Sequence, residues 1–464
     1  FLPQRIIMSS VVDPRDAAAV KHNNRNVVWM SISFSLIYFG IYHAATHHNI
    51  GINTYRNFAV PLLGNLGSIC LGLLYTLAAV GNLIIPTLLY VYPNVRNWLI
   101  ISSFVMFVYI LQYAYLIPVF ALVMCCITGL FFAVSWSTQS ILLAMNSVDE
   151  NRSRNSNLFY GIFMLGNVFG NGFAYILLNV IDIDLKNRGS GWNGGVSVLF
   201  IGLSISALIG SCLMFTIKPT MPTSFPDKDV EHGSRISSPE MDKRKSMKVE
   251  SPSAWHMILE RITAVLKCLF TKRMMLLFML FINNGYGQVV VSSQITRQMK
   301  NVDQVGLAMA VYSIVEVITT VVCGYTADRL GNRTMIGIAT LVEILGLFST
   351  LYMNKHQGWW VFVPTAFFGI MDTIYQTECI SILGRYFSDT IEDASATYRL
   401  VQGLGSSLCS YLTPLFISAD ATASTEQQLI VEMVVAGGIS VLGYLFYLIF
   451  SCQFAMKKEC IMNS

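Results

Sequence analysis

Long apolar segments recur along the whole chain and alternate with short polar ones. An α-helix needs about 20 apolar residues to cross the hydrocarbon core of a bilayer, and these segments have about that length. With 54% hydrophobic and 12% charged residues, the composition is typical of a membrane protein. We therefore predict an all-α integral membrane protein with twelve transmembrane helices, near residues 27–46, 67–90, 98–117, 119–143, 158–180, 195–217, 273–293, 306–326, 334–353, 359–381, 396–418 and 428–451.

A polar linker divides the twelve predicted spans into two sets of six. Residues 218–253 are rich in Lys, Asp, Ser and Pro and lack an apolar period, so they cannot bury a core of their own. Residues 255–272 are amphipathic, which predicts a helix lying in the membrane interface. The predicted regions are an N-terminal tail (1–26), a first six-helix bundle (27–217), the linker with its interfacial helix (218–272), a second six-helix bundle (273–451) and a C-terminal tail (452–464).

The distribution of basic residues predicts the orientation in the membrane. All but six of the 30 Lys and Arg residues fall on the same side as the N-terminus, which places both tails in the cytoplasm by the positive-inside rule. The sequons at Asn151 and Asn332 lie on that side, so we expect both to stay unmodified. The ten cysteines lie in apolar or cytoplasmic segments, and we expect no extracellular disulfide framework.

A tight, charged connection separates the eighth and ninth predicted spans. It reads Gly-x-x-x-Asp-Arg-x-Gly-x-Arg and contains Gly324, Asp328, Arg329, Gly331 and Arg333. This pattern resembles the signature loop of the major facilitator superfamily, whose fold consists of two six-helix bundles around a central cavity. The equivalent connection after the second span carries Tyr90 at the acidic position and lacks the Asp-Arg pair, so only the second half keeps the charged loop.

Several further segments resemble one divergent branch of that superfamily, the unc-ninety-three family. The most specific is Asp372-Thr373-Ile374-Tyr375-Gln376-Thr377. Other matching segments contain Tyr398 and Arg399 in the eleventh span, Asn283 and Asn284 in the seventh, and Trp136 and Gln139 in the fourth.

The resemblance implies a role as the companion of another integral membrane protein. Characterised family members regulate a potassium channel or escort receptors between compartments. We therefore expect an accessory subunit or trafficking chaperone in the plasma membrane or the endolysosome, surrounded by the lipid bilayer. The alternative is a secondary active transporter of a small solute, coupled to protons.

Five acidic residues lie inside predicted spans: Glu316, Glu343, Asp372, Glu378 and Glu432. A charge at the centre of a bilayer costs at least about 2.5–3.5 kcal/mol, so such groups face polar partners or carry a proton. Asp372 and Gln376 share one helical face because they are four residues apart. One interpretation is a polar site on the central cavity formed by Asp372, Tyr375, Gln376, Glu316, Glu343, Asn283 and Asn284; the other is a set of hydrogen-bonded struts between helices. We expect Glu378 near the inner end, in reach of solvent or of Arg385, and Glu432 near the outer face, in contact with water.

The remaining polar features carry less specific signals. Ser238, Ser246 and Ser251 are candidate phosphorylation sites beside basic residues, where a phosphate would weaken attraction to anionic lipid; an inert tether is the alternative. His43, His47 and His48 lie close together, but no Cys, Asp or Glu completes a metal site. The chain contains no nucleotide-binding or catalytic motif. We expect no enzyme activity, no cofactor, no metal and no nucleic-acid partner.

Overall fold

The structure is a computed structural model of the 464-residue chain. It describes residues 14–53, 66–147, 149–180, 191–192, 194–221, 254–299, 302–387, 390–413 and 426–455. The candidate phosphorylation sites Ser238, Ser246 and Ser251 lie outside these ranges. Some side chains within the described helices are not described either, including those of His43, His47 and His48.

The described residues of the first half contain six α-helices. They are α1 (Pro14–Asn53), α2 (Leu66–Val91), α3 (Val95–Leu111), α4 (Pro118–Met145), α5 (Asp149–Val180) and α6 (Gly194–Leu213). A two-residue strand β1 (Tyr115–Leu116) pairs antiparallel with β2 (Gly191–Trp192) and ties the α3–α4 connection to the segment before α6.

The linker helix and five further helices follow. They are α7 (Ala254–Leu269), α8 (Lys272–Val289), α9 (Val302–His356), α10 (Phe362–Tyr386), α11 (Ile391–Leu412) and α12 (Glu426–Phe450). A π-helical segment, Val290–Ile295, extends α8, and another, Ser451–Ala455, extends α12.

Helix α9 breaks at Gly331, where φ is 74° and ψ is 156°. A positive φ is costly for residues with a Cβ atom and is readily adopted by glycine. The break divides α9 into a first arm (302–330) and a second arm (332–356), which coincide with the eighth and ninth predicted spans. The charged connection predicted from the signature pattern is therefore a one-residue break and not an extended loop.

Seven of the described segments are long and apolar enough to cross a bilayer. They are Val95–Ala114, Pro118–Met145, Ser197–Thr216, Lys272–Ile295, Gln304–Cys323, Arg329–His356 and Glu426–Phe454. Each of the other predicted spans also overlaps a helix, but the count of twelve membrane crossings stays a prediction.

The two halves repeat one packing pattern. In the first half α1 packs on α5 and α6, and α3 packs on α4 and α6; in the second half α8 packs on α11 and α12, and the α9 arms pack on α10 and α12. Each half encloses its own hydrophobic core. The halves meet where α2 packs on α11 and α5 packs on α9. We call them the first and second bundle.

The linker begins at one end of the molecule, which we call the linker end. There the side-chain amide of Asn26 pairs with both backbone groups of Lys218, at 2.9 and 3.0 Å. The amide of Asn23 pairs in the same way with Met221, at 2.9 and 3.0 Å. These paired bonds fix the start of the linker to α1.

Candidate functional site

Two carboxyl groups meet inside the second bundle. Asp372 comes from α10 and Glu316 from the first arm of α9, and each carboxyl lies within hydrogen-bonding reach of the other. The Tyr312 hydroxyl donates to Asp372 Oδ2 at 2.6 Å, and the Gln288 amide donates to Asp372 Oδ1 at 3.0 Å. Both acids are buried, with 5% of the Asp372 surface and 7% of the Glu316 surface exposed. We call Glu316 and Asp372 the carboxyl pair.

The contact within the carboxyl pair determines its chemistry. Two ionised carboxylates at short range repel each other, and a proton shared between their oxygens removes that repulsion. The other hydrogen-bond partners given above are a hydroxyl and an amide, which carry no positive charge. A site of this kind can bind and release a proton.

A path of polar side chains leads away from the carboxyl pair. Gln376 lies one turn after Asp372 on the same helical face, and its side-chain oxygen accepts a hydrogen bond from the Tyr398 hydroxyl at 3.1 Å. Tyr398 also accepts from the Asn284 amide at 2.8 Å. The Arg399 guanidinium lies 5.1 Å from the Tyr398 ring centroid, and its side chain is exposed. The path thus ends at Tyr398, whose ring lies against an exposed cation.

Glu343 forms a separate node in the second arm of α9. Its Oε2 atom accepts hydrogen bonds from Asn283 at 2.8 Å, Tyr375 at 3.2 Å and Ser440 at 2.5 Å. These donors come from α8, α10 and α12, and Thr340 lies 2.9 Å from the Tyr375 hydroxyl. Glu343 therefore ties four helical segments together, which fits the strut interpretation for this acid.

The residues grouped into one cavity site from the sequence thus separate into two. Asp372, Glu316, Gln376 and Asn284 belong to the carboxyl pair and its path. Glu343, Tyr375 and Asn283 belong to the node. The neighbouring residues Asn283 and Asn284 serve different sites because adjacent positions on a helix point about 100° apart.

Two other acids differ from their expected surroundings. Glu378 is buried and accepts a hydrogen bond from Asn332 at 2.7 Å, so it does not face open solvent. Glu432 was expected to contact water, but its side chain is fully buried. The sequence could not reveal this burial, because a position near a helix end faces either the bundle or water.

The family-motif residues of the first bundle lie in a core of aromatic rings. The Trp136 ring centroid is 5.5 Å from that of Tyr38 and 5.3 Å from that of Phe163, in edge-to-face contacts. Gln139 is buried and accepts a hydrogen bond from Ser140 at 3.2 Å. Their described contacts therefore lie within the first bundle.

Residues of the signature connection are described in part. Arg329 and Arg333 are exposed, and Gly331 provides the break in α9. The surroundings of Gly324 and the side chain of Asp328 are not among the features that the structure describes, so the role of Asp328 stays a prediction.

Tyr312 and Ser440 are the site residues that the sequence interpretation missed. Tyr312 precedes Glu316 by four residues, a spacing that places both on one helical face and could have indicated a shared partner. Ser440 offered no such signal, because serine is common in transmembrane helices and its partner Glu343 is 97 residues away.

Comparison with known proteins supports the fold and the family. The family model for the Major Facilitator Superfamily matches residues 26–300 and 274–454. The chain belongs to the major facilitator superfamily. It is 22% identical over 419 residues to the UNC93-like protein MFSD11 of Xenopus tropicalis, covering 83% of this chain and 89% of the relative. This similarity confirms the unc-ninety-three branch, and the chain is a multi-pass membrane protein.

Solved facilitator structures share the architecture. The xylose transporter XylE from E. coli, in a partially occluded inward-open conformation, superimposes with a TM-score of 0.65 at 14% identity, covering 92% of this chain and 99% of that one. A crystal structure of the nucleoside transporter NupG gives a TM-score of 0.60 at 11% identity, with 92% of this chain and 99% of that one covered. At these identities the likeness extends to the fold alone.

Proposed function

We propose that this facilitator is a secondary active transporter in which the carboxyl pair takes up and releases a proton during the transport of a small solute. The observation that carries the proposal is the placement of two buried acids side by side: Tyr312, one turn before Glu316, donates to Asp372 at 2.6 Å, and Thr373, next to Asp372, donates to the Glu316 carbonyl at 3.4 Å. A strut between α9 and α10 needs only one acceptor and one donor, as at the Glu343 node. Two acids in contact add a bound proton, which a purely structural contact does not require.

The surroundings of the pair favour proton exchange over a permanent bond. The polar side chains of Gln376 and Tyr398 lie between Asp372 and the exposed Arg399, whose guanidinium packs on the Tyr398 ring. Both acids belong to the second bundle. In facilitators the two bundles rock against each other and open a central site to each side of the membrane in turn, which gives a proton site access to both sides.

The test is the charge movement that follows a pH jump, recorded from full-length protein in liposomes on a solid-supported membrane. Wild-type protein should give a transient current, because protons bind inside the membrane field. Asp372→Asn and Glu316→Gln should each reduce it severalfold, since each removes one member of the pair. Glu343→Gln removes a buried acid outside the pair and should leave it in place. No current from correctly folded wild-type protein would contradict the proposal.

A second candidate function is that of an accessory subunit or trafficking chaperone for a channel or receptor. The connection between α2 and α3 favours it. There the Asn97 amide donates to the Tyr92 hydroxyl at 2.6 Å, Trp98 donates to the Tyr92 carbonyl at 3.0 Å, and Arg96 donates to the Phe215 carbonyl at 2.8 Å. These bonds fix the α2–α3 turn within the first bundle. The second bundle has the charged signature connection at the equivalent place, so only one of the two halves keeps the charged connection that is typical of the superfamily.

Purification from native membranes tests the accessory function. The full-length protein, cross-linked before mild solubilisation, should carry a channel or receptor in a stoichiometric amount. Recovery of the protein alone would contradict this function and leave the transport proposal unaffected. For either function we propose cytoplasmic termini, a plasma-membrane or endolysosomal location, and no catalytic step.

A further inference from the structure

A groove of about 390 Å³ lies on the membrane face of the second bundle, between the second arm of α9 and α12. It starts beside the break in α9. Its lining consists of Arg333, Thr334, Gly337, Ile338, Leu341 and Tyr444.

Gly337 lies at the centre of the groove, against the Tyr444 hydroxyl. A Cβ atom at Gly337 would lie 2.8 Å from the Tyr444 hydroxyl oxygen, closer than such atoms approach each other. The missing side chain lets the Tyr444 ring lie against the helix and keeps its hydroxyl at the groove.

One end of the groove is polar. Arg333 and Thr334 are exposed, and Tyr444 is half-buried. None of the three has a hydrogen-bond partner among the residues that the structure describes. The lining contains one positive charge and no acidic residue. The two hydroxyl groups lie beside the Arg333 guanidinium and are available to donate hydrogen bonds to the phosphate oxygens of a ligand. A guanidinium binds phosphate through charge-assisted hydrogen bonds.

The rest of the groove is apolar and faces outward. Leu341 is 60% exposed and Ile338 is 37% exposed. On a helix that crosses the membrane, such side chains contact hydrocarbon. The ligand therefore combines an anionic phosphate beside the break in α9 with an alkyl chain running along the helix.

We propose that this groove binds one anionic phospholipid, with its phosphate at Arg333, Thr334 and Tyr444 and an acyl chain over Ile338 and Leu341. Basic pockets between transmembrane helices are known to hold lipid headgroups near the membrane surface. The positive charge selects an anionic lipid over a zwitterionic one. The site is separate from the carboxyl pair and does not depend on a transport function.

Native mass spectrometry of the full-length protein in detergent tests the proposal. Phosphatidylserine is titrated against phosphatidylcholine of the same chain length, and bound lipids are counted. Wild-type protein should retain one phosphatidylserine in clear preference. Arg333→Gln should weaken this binding by about tenfold or more, as loss of a charge-assisted hydrogen bond does. Tyr444→Phe should weaken it severalfold while keeping the ring.

Arg329→Gln is the matched control, because it removes the same charge from an exposed position four residues away that does not line the groove. It should retain the preference. Soluble phosphoserine, which lacks acyl chains, should not displace the bound lipid. Equal binding of the two lipids by wild-type protein, an equal loss in both arginine variants, or displacement by phosphoserine would each overturn the proposal.

Discussion

Buried acids in the second bundle are held by side chains from other helices. Glu343 is held by an amide and two hydroxyls, Glu378 accepts from Asn332, and Asp372 meets a second acid. Only the last arrangement places two acids side by side, where a shared proton removes their repulsion. At the scale of the residue, the group that contacts each acid therefore decides its interpretation. Neutral donors indicate a structural strut, and a second acid indicates a proton site.

The strut interpretation of Glu343 leads to a prediction about stability. Glu343→Ala would leave the donors Asn283 and Ser440 buried without their acceptor, and a buried donor without a partner costs about 1–3 kcal/mol. We expect a lower unfolding temperature in detergent. Glu343→Gln keeps an acceptor oxygen and should lose much less. Equal losses in the two variants would show that the carboxylate charge, and not hydrogen bonding, holds the node.

The two sequons lead to a prediction about modification. A glycan is attached to the side-chain nitrogen of asparagine, and both nitrogens are occupied. Asn151 is buried and donates to Asn24 at 3.1 Å, while Asn332 donates to Glu378 and Ser381. We expect no change in electrophoretic mobility after glycosidase treatment of protein from a glycosylating host. A glycan on either asparagine would contradict both this geometry and the predicted orientation.

Sequence reasoning found the acids and missed how they are partnered. Acids stand out in apolar segments because they are costly there. The assignment of Glu316 to Asp372 and of Glu343 to Asn283 depends on how α8, α9 and α10 rotate against each other. One sequence carries no signal for that rotation, so the two sites merged into one.

At the scale of the element, small residues determine how closely α8 and α11 cross. Gly285 of α8 lies against the carbonyl of Gln402, and Gly405 of α11 lies against the carbonyl of Ile282. The Ser406 hydroxyl donates to the Gly285 carbonyl at 3.0 Å. Gly285 and Gly405 therefore serve close packing at this crossing, as small residues commonly do in membranes.

This crossing predicts a strong effect of one methyl group. A Cβ atom at Gly285 would overlap the Gln402 carbonyl, which belongs to the backbone and cannot rotate away. Overpacking of this kind costs about 1–3 kcal/mol, so Gly285→Ala should lower the unfolding temperature. Gly438→Ala in α12 is the control, because no atom lies within 4 Å of its added Cβ. It should be neutral or stabilising, since glycine weakens helix interiors. Similar destabilisation by both changes would argue against the packing explanation.

The elements were largely predictable, and their ends less so. The signature pattern located the break in α9 because its glycine allows a backbone conformation that other residues avoid. The amphipathic period located α7, which spans Ala254–Leu269. Its contact with α2 and α11 was not predictable, because an amphipathic face fits a protein surface as well as a membrane interface.

At the scale of the whole molecule, the two bundles meet where α5 packs on α9 and along α2 and α11. The Thr76 hydroxyl donates to Ser407 at 3.0 Å and lies 3.3 Å from the Tyr411 hydroxyl. Ala79 and Leu400 form a small cluster with Val265 of α7, so the linker helix covers this contact. The bundles are therefore joined by direct contact as well as by the chain.

That contact predicts how the protein behaves when its linker is cut. Two chains that separate within residues 222–253 and are expressed together should purify as one complex, because α2 and α11 still meet. A Cβ atom at Gly403 would lie 2.7 Å from the Ala79 Cβ atom, so Gly403→Leu should push the bundles apart. An overpacking cost of about 1–3 kcal/mol corresponds to roughly a tenfold loss of association.

The control for the cut protein is Gly438→Leu, which adds the same side chain where no atom lies within 4 Å of the Cβ position. The readout is the amount of second bundle recovered with an affinity-tagged first bundle in mild detergent. Recovery should fall for Gly403→Leu and stay at the wild-type level for Gly438→Leu. If the cut wild-type halves do not purify together, the intact linker, and not the contact between α2 and α11, keeps the bundles joined.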